Sequence, residues 1–288
     1  MSDDMPVAKV RDDPPSRPRG PGGARTLKFL HLHKTAGTSV RAFLERFFRP
    51  EEICPAGFRH EFRALDRDQL ATYRMFAGHL DWEDLDQVGG PSFTFTVLRE
   101  PRERLLSYYF FLRAEAVRIA REDPAQVNEA ARAALAFAPD DFFCAGGPPS
   151  VRRNIDNHLD NHYAHYFARR SARLRYRSLD SAIADSELVA MARRNLDRLD
   201  GVFATERLRP LKWAVIARFG GREVGAWRTA LNCLYPIQRI RRNQQAGTVA
   251  TRLADLAALG ATRRTFDRIE EMTRLDSLLW AERFGRRP

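Results

Sequence analysis

Twice within its first 125 residues the chain runs from a short β-prone segment through a tight turn and straight into a helix. LKFLHLH (27–33) is apolar and β-prone, and TSVRAFLERFF (38–48) spaces Val40, Phe43, Leu44, Phe47 and Phe48 three and four apart, the period of a helix with one apolar face. SFTFTVLRE (92–100) repeats the first half of that order. Pro101, suited to the first turn of a helix, and RERLLSYYFFLRAEAVRIA supply the second. YRMFAGH (73–79) is a further candidate strand, and GVFATE (201–206) another, between the helical SELVAMARRNLDRLD (186–200) and RLRPLKWAVIARFG. Strands alternating with helices predict an α/β fold, a central and mainly parallel sheet flanked by helices. Residues 125–147 are Ala-rich and helix-prone; FCAGGPPS then breaks the chain before a polar, His-rich stretch, NIDNHLDNHYAHYF (154–167), expected to be an insertion near the functional site. The last fifty residues read as helical and Arg-rich, and there is no internal repeat.

Composition narrows the class. In 288 residues, 44% are hydrophobic and 30% charged, and no uncharged run approaches the length of a membrane span. Residues 1–25 are rich in Pro, Gly, Arg and Asp and predict a flexible tail before one domain over 26–288. The same stretch lacks the apolar centre of a secretory signal, and Cys54, Cys144 and Cys233 are too dispersed for a disulfide framework. Both features point to the cytoplasm, with attachment at a membrane periphery still open. A net charge of +11, nearly all from arginine with lysine only at 9, 28, 34 and 212, favours anionic partners without choosing among them.

The first turn, HLHKTAGTS (31–39), sits where free helix N–H groups and the helix dipole favour phosphate or sulfate. Ala36 and Gly37 admit close approach to the backbone, Thr35, Thr38 and Ser39 add hydroxyls, and Lys34 adds a mobile cation. The plainer alternative is a strand-to-helix connection with Thr38 or Ser39 as N-cap. The lysine precedes the small residues, so the G-x-x-x-x-G-K-[ST] pattern of nucleotide triphosphatases is not met. The second turn follows Arg99, not the Asp that would hold magnesium, and its helix carries Ser107, so the residues suggest two anions and no metal.

Together LHKTAGTS and FTVLREPRERLLSYYFFLR resemble the two cofactor-binding motifs of sulfotransferases that use 3′-phosphoadenosine-5′-phosphosulfate, most closely the heparan sulfate and uronyl 2-O-sulfotransferase group and its bacterial relatives. The likeness covers residues 26–112 and extends more faintly to LDGVFATERL (199–208) and MTRLDSLLWAERF (272–284). It implies a P-loop-NTPase-like sulfotransferase fold. Lys34, Thr35, Ala36, Gly37, Thr38 and Ser39 would hold the 5′-phosphosulfate, and Arg99 and Ser107 the 3′-phosphate, with adenosine 3′,5′-bisphosphate as product. It also implies that His79, in FAGHLDW (76–82), is the catalytic base; Ala77 stands where those relatives carry a second histidine. A DN-containing segment near the acceptor site of such enzymes brings in Asn157 and His158 as substrate contacts.

Sulfuryl transfer to a hydroxyl needs a base, in-line attack and positive charge at the leaving phosphate oxygen. His79 and Lys34 meet the first and last needs, and Lys34, His79 and Arg99 would each follow the carboxyl end of a strand, where open α/β sheets bind ligands. The expected partner is a hydroxyl-bearing acceptor, a glycan or glycoconjugate. A kinase-like NTPase and a non-catalytic polyanion-binding protein are the alternatives; no nucleic-acid-binding motif supports the latter. His158 and His162 are spaced to chelate zinc, but no H-E-x-x-H completes them, so no metal is expected. His31 and His33 would share one strand face, His33 beside the turn; the arginines of RIRRN (239–243) form a solvated face or else meet the 3′-phosphate or a polyanionic acceptor.

Overall fold

In the computed structural model, four strands form one sheet: β1 (Thr26–Leu30), β2 (Met75–Gly78), β3 (Ser92–Leu98) and β4 (Gly201–Ala204). Their order is β2-β1-β3-β4 and every neighbouring pair is parallel. The structure describes residues 26–145, 147–171, 183–220, 225–235, 237 and 248–285. The expected tail over 1–25 and the Arg239–Arg242 cluster lie outside them.

Parallel neighbours require a crossover between each pair of strands, and helices supply it. Between β1 and β2 run α1 (Gly37–Leu44), α2 (Arg59–Arg63) and α3 (Arg67–Thr72); the one-turn α4 (Trp82–Leu85) precedes β3. Between β3 and β4 come α5 (Pro101–Glu122), α6 (Glu129–Ala136), α7 (Pro149–His158), α8 (His162–Arg169) and α9 (Asp185–Asp197). After β4 follow α10 (Arg209–Phe219), α11 (Ala226–Leu234), α12 (Val249–Ala258) and α13 (Arg263–Phe284). The α/β architecture expected from the alternating segments is the one observed.

Both faces of the sheet are covered, because alternate strand side chains feed two apolar layers. Leu27, Phe29, Phe93, Phe95 and Val97 meet Val40, Phe43 and Leu44 of α1 and Leu211 and Val215 of α10. Leu30, Phe76 and Leu98 meet Tyr163 and Phe167 of α8, Leu196 of α9 and Leu279 of α13. A third layer, remote from the strands, joins α5, α6, α7, α12 and α13. Among the described residues no helix is long and apolar enough to cross a membrane.

Three expectations change. β1 stops at Leu30, so His31 and His33 lie in the turn beyond it, which the backbone enters through left-handed conformations at Lys34 (φ 68°) and Ala36 (φ 61°). Helix α1 is capped at Ala36 rather than Thr38 or Ser39. The stretch 154–167 is no polar insertion: it forms the end of α7 and most of α8, with Ile155, Leu159, Tyr163, Ala164 and Phe167 fully buried. Its histidines disguise an apolar stripe.

Candidate active site

Lys34, His79 and Arg99 follow the carboxyl ends of β1, β2 and β3, and because β1 lies between the other two, the Lys34 turn is flanked by His79 and Arg99. In the turn, the N–H groups of Ser39 and Val40 close onto the Ala36 carbonyl. Those of Ala36, Gly37 and Thr38 find no acceptor among the described residues, and Ala36 gives the helix no side-chain cap. Three free amides at the positive end of α1 form a concave donor set for an oxyanion. Thr35 contributes no hydroxyl to it: the side chain is fully buried and donates to the Leu32 carbonyl at 2.9 Å, bracing the turn. Ser39 is buried at 9% exposure. Gly37 is needed for space, since a Cβ there would lie 1.5 Å from Nε2 of His31.

Lys34 places its ammonium 4.1 Å from the centre of the Phe111 ring on α5. Burial, then the neighbouring Arg99 and Arg252, bring its pKa down to about 8, with Glu115 acting in the opposite direction. Arg99 crosses from the second turn to the first: Nη1 lies 3.5 Å from the Lys34 carbonyl while Nη2 pairs with Glu103 at 2.7 Å. Its Nε, on the same edge as Nη2, is buried without a partner among the described residues, a donor left over for an anion. Ser107, two turns along α5, is buried at 3% exposure.

His79 is held by two backbone contacts, one through its own N–H to the Gly57 carbonyl at 2.8 Å. Its ring Nδ1 lies 2.9 Å from the His31 carbonyl; a carbonyl only accepts, so Nδ1 carries the proton and Nε2 keeps its lone pair. Burial lowers the pKa of this imidazole and the hydrogen bond to His31 raises it part of the way back. Gly78 lets the 56–58 segment approach: a Cβ would meet the Gly57 carbonyl oxygen at 2.7 Å.

His158, at the end of α7, reaches this centre, its ring 4.8 Å from that of His33 and 5.4 Å from that of Tyr108. The backbone carbonyl of Asn157 accepts from Nδ1–H of His162 at 2.7 Å. His158 and His162 lie 6.0 Å apart, ring centre to ring centre, and among the described residues no group of three His, Cys, Asp or Glu side chains is arranged to hold a metal.

Four participants escaped the sequence reading. Arg252 of α12, 4% exposed, donates to the Glu103 carbonyl at 3.1 Å and adds a cation near Arg99. The Tyr163 hydroxyl accepts from the Arg99 N–H and donates to the Arg99 carbonyl, both at 3.0 Å, clamping the residue that opens the second turn. Asp276 of α13 accepts from the N–H groups of Tyr163 and Ala164 at 3.1 and 2.9 Å, capping α8 from another helix. Arg104 is wholly buried and donates to the His158 carbonyl at 2.7 Å, holding the end of α7 in place.

Residues 24–166, about half of the chain, match the family model described as the sulfotransferase family. Over these residues the chain is similar to the sulfotransferase family. The match takes in β1 to β3, both turns, His79 and most of α8; β4, Arg252 and Asp276 lie beyond it. A search of curated proteins returned no match. The parallel sheet with its covering helices is the fold expected of a sulfotransferase, and the family's chemistry is sulfuryl transfer to an acceptor.

Proposed function

We propose that this protein transfers a sulfuryl group from 3′-phosphoadenosine-5′-phosphosulfate to a hydroxyl of a carbohydrate acceptor, with His79 as the base. The observation that carries the reading is the tautomer of His79: with Nδ1–H fixed on the His31 carbonyl, Nε2 stands ready for a proton beside the turn that carries the free amides. The fit of the donor rests on the three unpartnered amides and on the buried, unpartnered Nε of Arg99. Bound there, the phosphosulfate supplies an activated sulfuryl group.

The protein's own part is then electrostatic and acid–base. The amides of Ala36 to Thr38 and the hydroxyls of Thr38 and Ser39 orient the 5′ end, while Arg99, with Ser107 and Arg252 behind it, receives the 3′-phosphate. Nε2 of His79 takes the proton of the acceptor hydroxyl while Nδ1–H stays on the His31 carbonyl. Lys34 supplies positive charge toward the leaving phosphate oxygen. Phe58, 50% exposed with its ring 5.9 Å from that of His79, offers an acceptor ring a flat apolar face next to the base. His158, whose ring lies 4.8 Å from that of His33, and its neighbour Asn157 are the further candidates for contact with the acceptor. The three free thiols suit the cytoplasm, the compartment we assign to this activity.

The test is transfer of labelled sulfate from the donor to a panel of glycans, lipids and small alcohols, by the wild type and by His79→Ala. Turnover on glycans by the wild type, lost in His79→Ala with adenosine 3′,5′-bisphosphate affinity within a few-fold, is expected. Full turnover in His79→Ala removes the base. Thermal stabilisation by ATP with magnesium but not by adenosine 3′,5′-bisphosphate transfers the site to the kinase-like alternative.

A further inference from the structure

Five of the seven histidines form one row through the site. Ring centres are 4.2 Å apart from His31 to His79, 3.7 Å from His79 to His33, 4.8 Å from His33 to His158 and 6.0 Å from His158 to His162. Only His79 and His33 lie face to face, with planes 4° from parallel. His33 is itself held from the side by the edge-on rings of Tyr108 at 5.9 Å and His158.

We propose that His33 is the positioning residue of His79: its stacked ring fixes the plane of the base and keeps water from one face, so that His79 stays unprotonated at neutral pH. This rests on the reading of His79 as the base. The geometry excludes direct proton exchange between the two, because stacked rings point their nitrogens away from one another. The effect of His33 is therefore on the environment of the base. Removing hydration from an imidazole penalises its charged form, and two imidazolium charges at this separation repel, so the stack disfavours a second proton.

The other groups around His79 do not supply a compensating negative charge at the ring. The turn after β1 contributes His31, whose imidazole is also held well below its usual range by burial. The segment before α2 contributes Phe58, with His60 beyond it and Glu61 engaged by the N–H groups of Gly57 and Phe58. From α5 come Tyr108, against His33, and Arg104, which binds the carbonyl of His158; α7 contributes His158 and α8 His162. The α1 residue Arg41 adds positive charge beside His31 and donates to the Ala77 carbonyl at 2.8 Å. Among these, the ring of His33 has the closest face-to-face contact, and His33 itself is held low first by burial and then by His79.

The experiment follows the His79 Cε1–H resonance of the full chain through a pH titration, alongside the pH profile of kcat/KM, in wild type, His33→Ala, His33→Asn and His33→Phe. In His33→Ala and His33→Asn the His79 midpoint rises toward 6.5, by on the order of half a unit or more, and the acid limb of activity moves to higher pH with it. His33→Phe restores a flat ring without a titrating group and returns both midpoints to the wild-type position. If His33→Ala does not fold, His33→Asn carries the same expectation. A His79 midpoint unchanged within about 0.2 unit in the folded variant overturns the proposal, as does an equal loss of rate at every pH or a His33→Phe profile that follows His33→Ala. Shifted resonances in a protein that transfers no sulfate leave the stack standing and sink only the assigned reaction.

Discussion

Gly37→Ala tests whether the anion turn and the base are built as one packed unit. The added Cβ would sit 1.5 Å from Nε2, 2.0 Å from Cδ2 and 2.2 Å from Cε1 of His31, so the ring has to retreat by roughly 2 Å to reach an ordinary contact. Two of its sides are taken: Phe29 stacks on one, ring centres 5.3 Å apart, and His79 lies 4.2 Å away on another. Overpacking costs about 1–3 kcal/mol, and a clash with a ring hemmed in on two sides belongs toward the top of that range. For a chain of this size about 3 kcal/mol lowers Tm by roughly 6–12 °C. The diagnostic variant is Gly37→Ala combined with His31→Ala, where the deleted ring vacates the space that the methyl group enters. Thermal denaturation of the four proteins closes a double-mutant cycle, expected to show favourable coupling of about 1–3 kcal/mol. Titration with adenosine 3′,5′-bisphosphate reports whether the amides still converge. A Gly37→Ala protein within 2 °C of wild type, roughly the effect of 1 kcal/mol or less, or additive losses in the double variant, refutes the packing argument.

Tyr163→Phe leaves the N–H and carbonyl of Arg99 without the hydroxyl that bridges them; calorimetry should show about 1–3 kcal/mol of lost stability, and titration a weaker hold on adenosine 3′,5′-bisphosphate. Burial pushes the Asp276 carboxyl up to about 6, against the opposing influence of Arg104 and two amide hydrogen bonds. A raised folded pKa contributes stability that is fully present below the unfolded value near 3.8 and lost as pH rises through about 6, on the order of 3 kcal/mol in all; Asp276→Asn should flatten the denaturant-unfolding profile across that window. Lys34, brought down to about 8, loses its charge as pH rises through that value, so adenosine 3′,5′-bisphosphate should bind more weakly above it, whereas Lys34→Arg should show no such inflection in calorimetric titrations.

The architecture was legible because strand and helix periods alternate, and the two turns because small residues, a lysine and an arginine stand where a strand gives way to a helix. What the local pattern hid was charge inside apolar stripes. Arg104 lies among Pro101, Leu105, Tyr108 and Leu112 on the buried side of α5, Arg252 one turn from Leu256 on α12, and Asp276 between Met272 and Leu279 on α13. A charged residue at a core position of a helical stripe has to find a partner, and that partner is a matter of tertiary contact, not of sequence spacing. The same reasoning explains the misread stretch 154–167. Its Asn, Asp and His residues suggest a polar insertion, yet Ile155, Leu159, Tyr163, Ala164 and Phe167 recur at helical spacing and all are buried. The ring row is invisible in one dimension, since His33, His79 and His158 come from three separate segments.

A site for a multiply charged anion and a neutral base place opposite demands on one cleft. Lys34, Arg99 and Arg252 have to remain cationic without an anion to hold them, and Glu103 meets part of that need by pairing with Nη2 of Arg99. The pair occupies one donor of the edge that Nη2 shares with Nε and leaves Nε itself without a partner among the described residues, a donor beside the carboxylate for an oxyanion. On the imidazoles, burial is what disfavours a proton first, and on His33 the neighbouring rings add to it. Burial among packed rings thus keeps a proton off His79 while the cations recruit the donor. This explains why the base can sit next to the anion turn, where an exposed histidine in contact with a bound phosphate would be driven toward its protonated form.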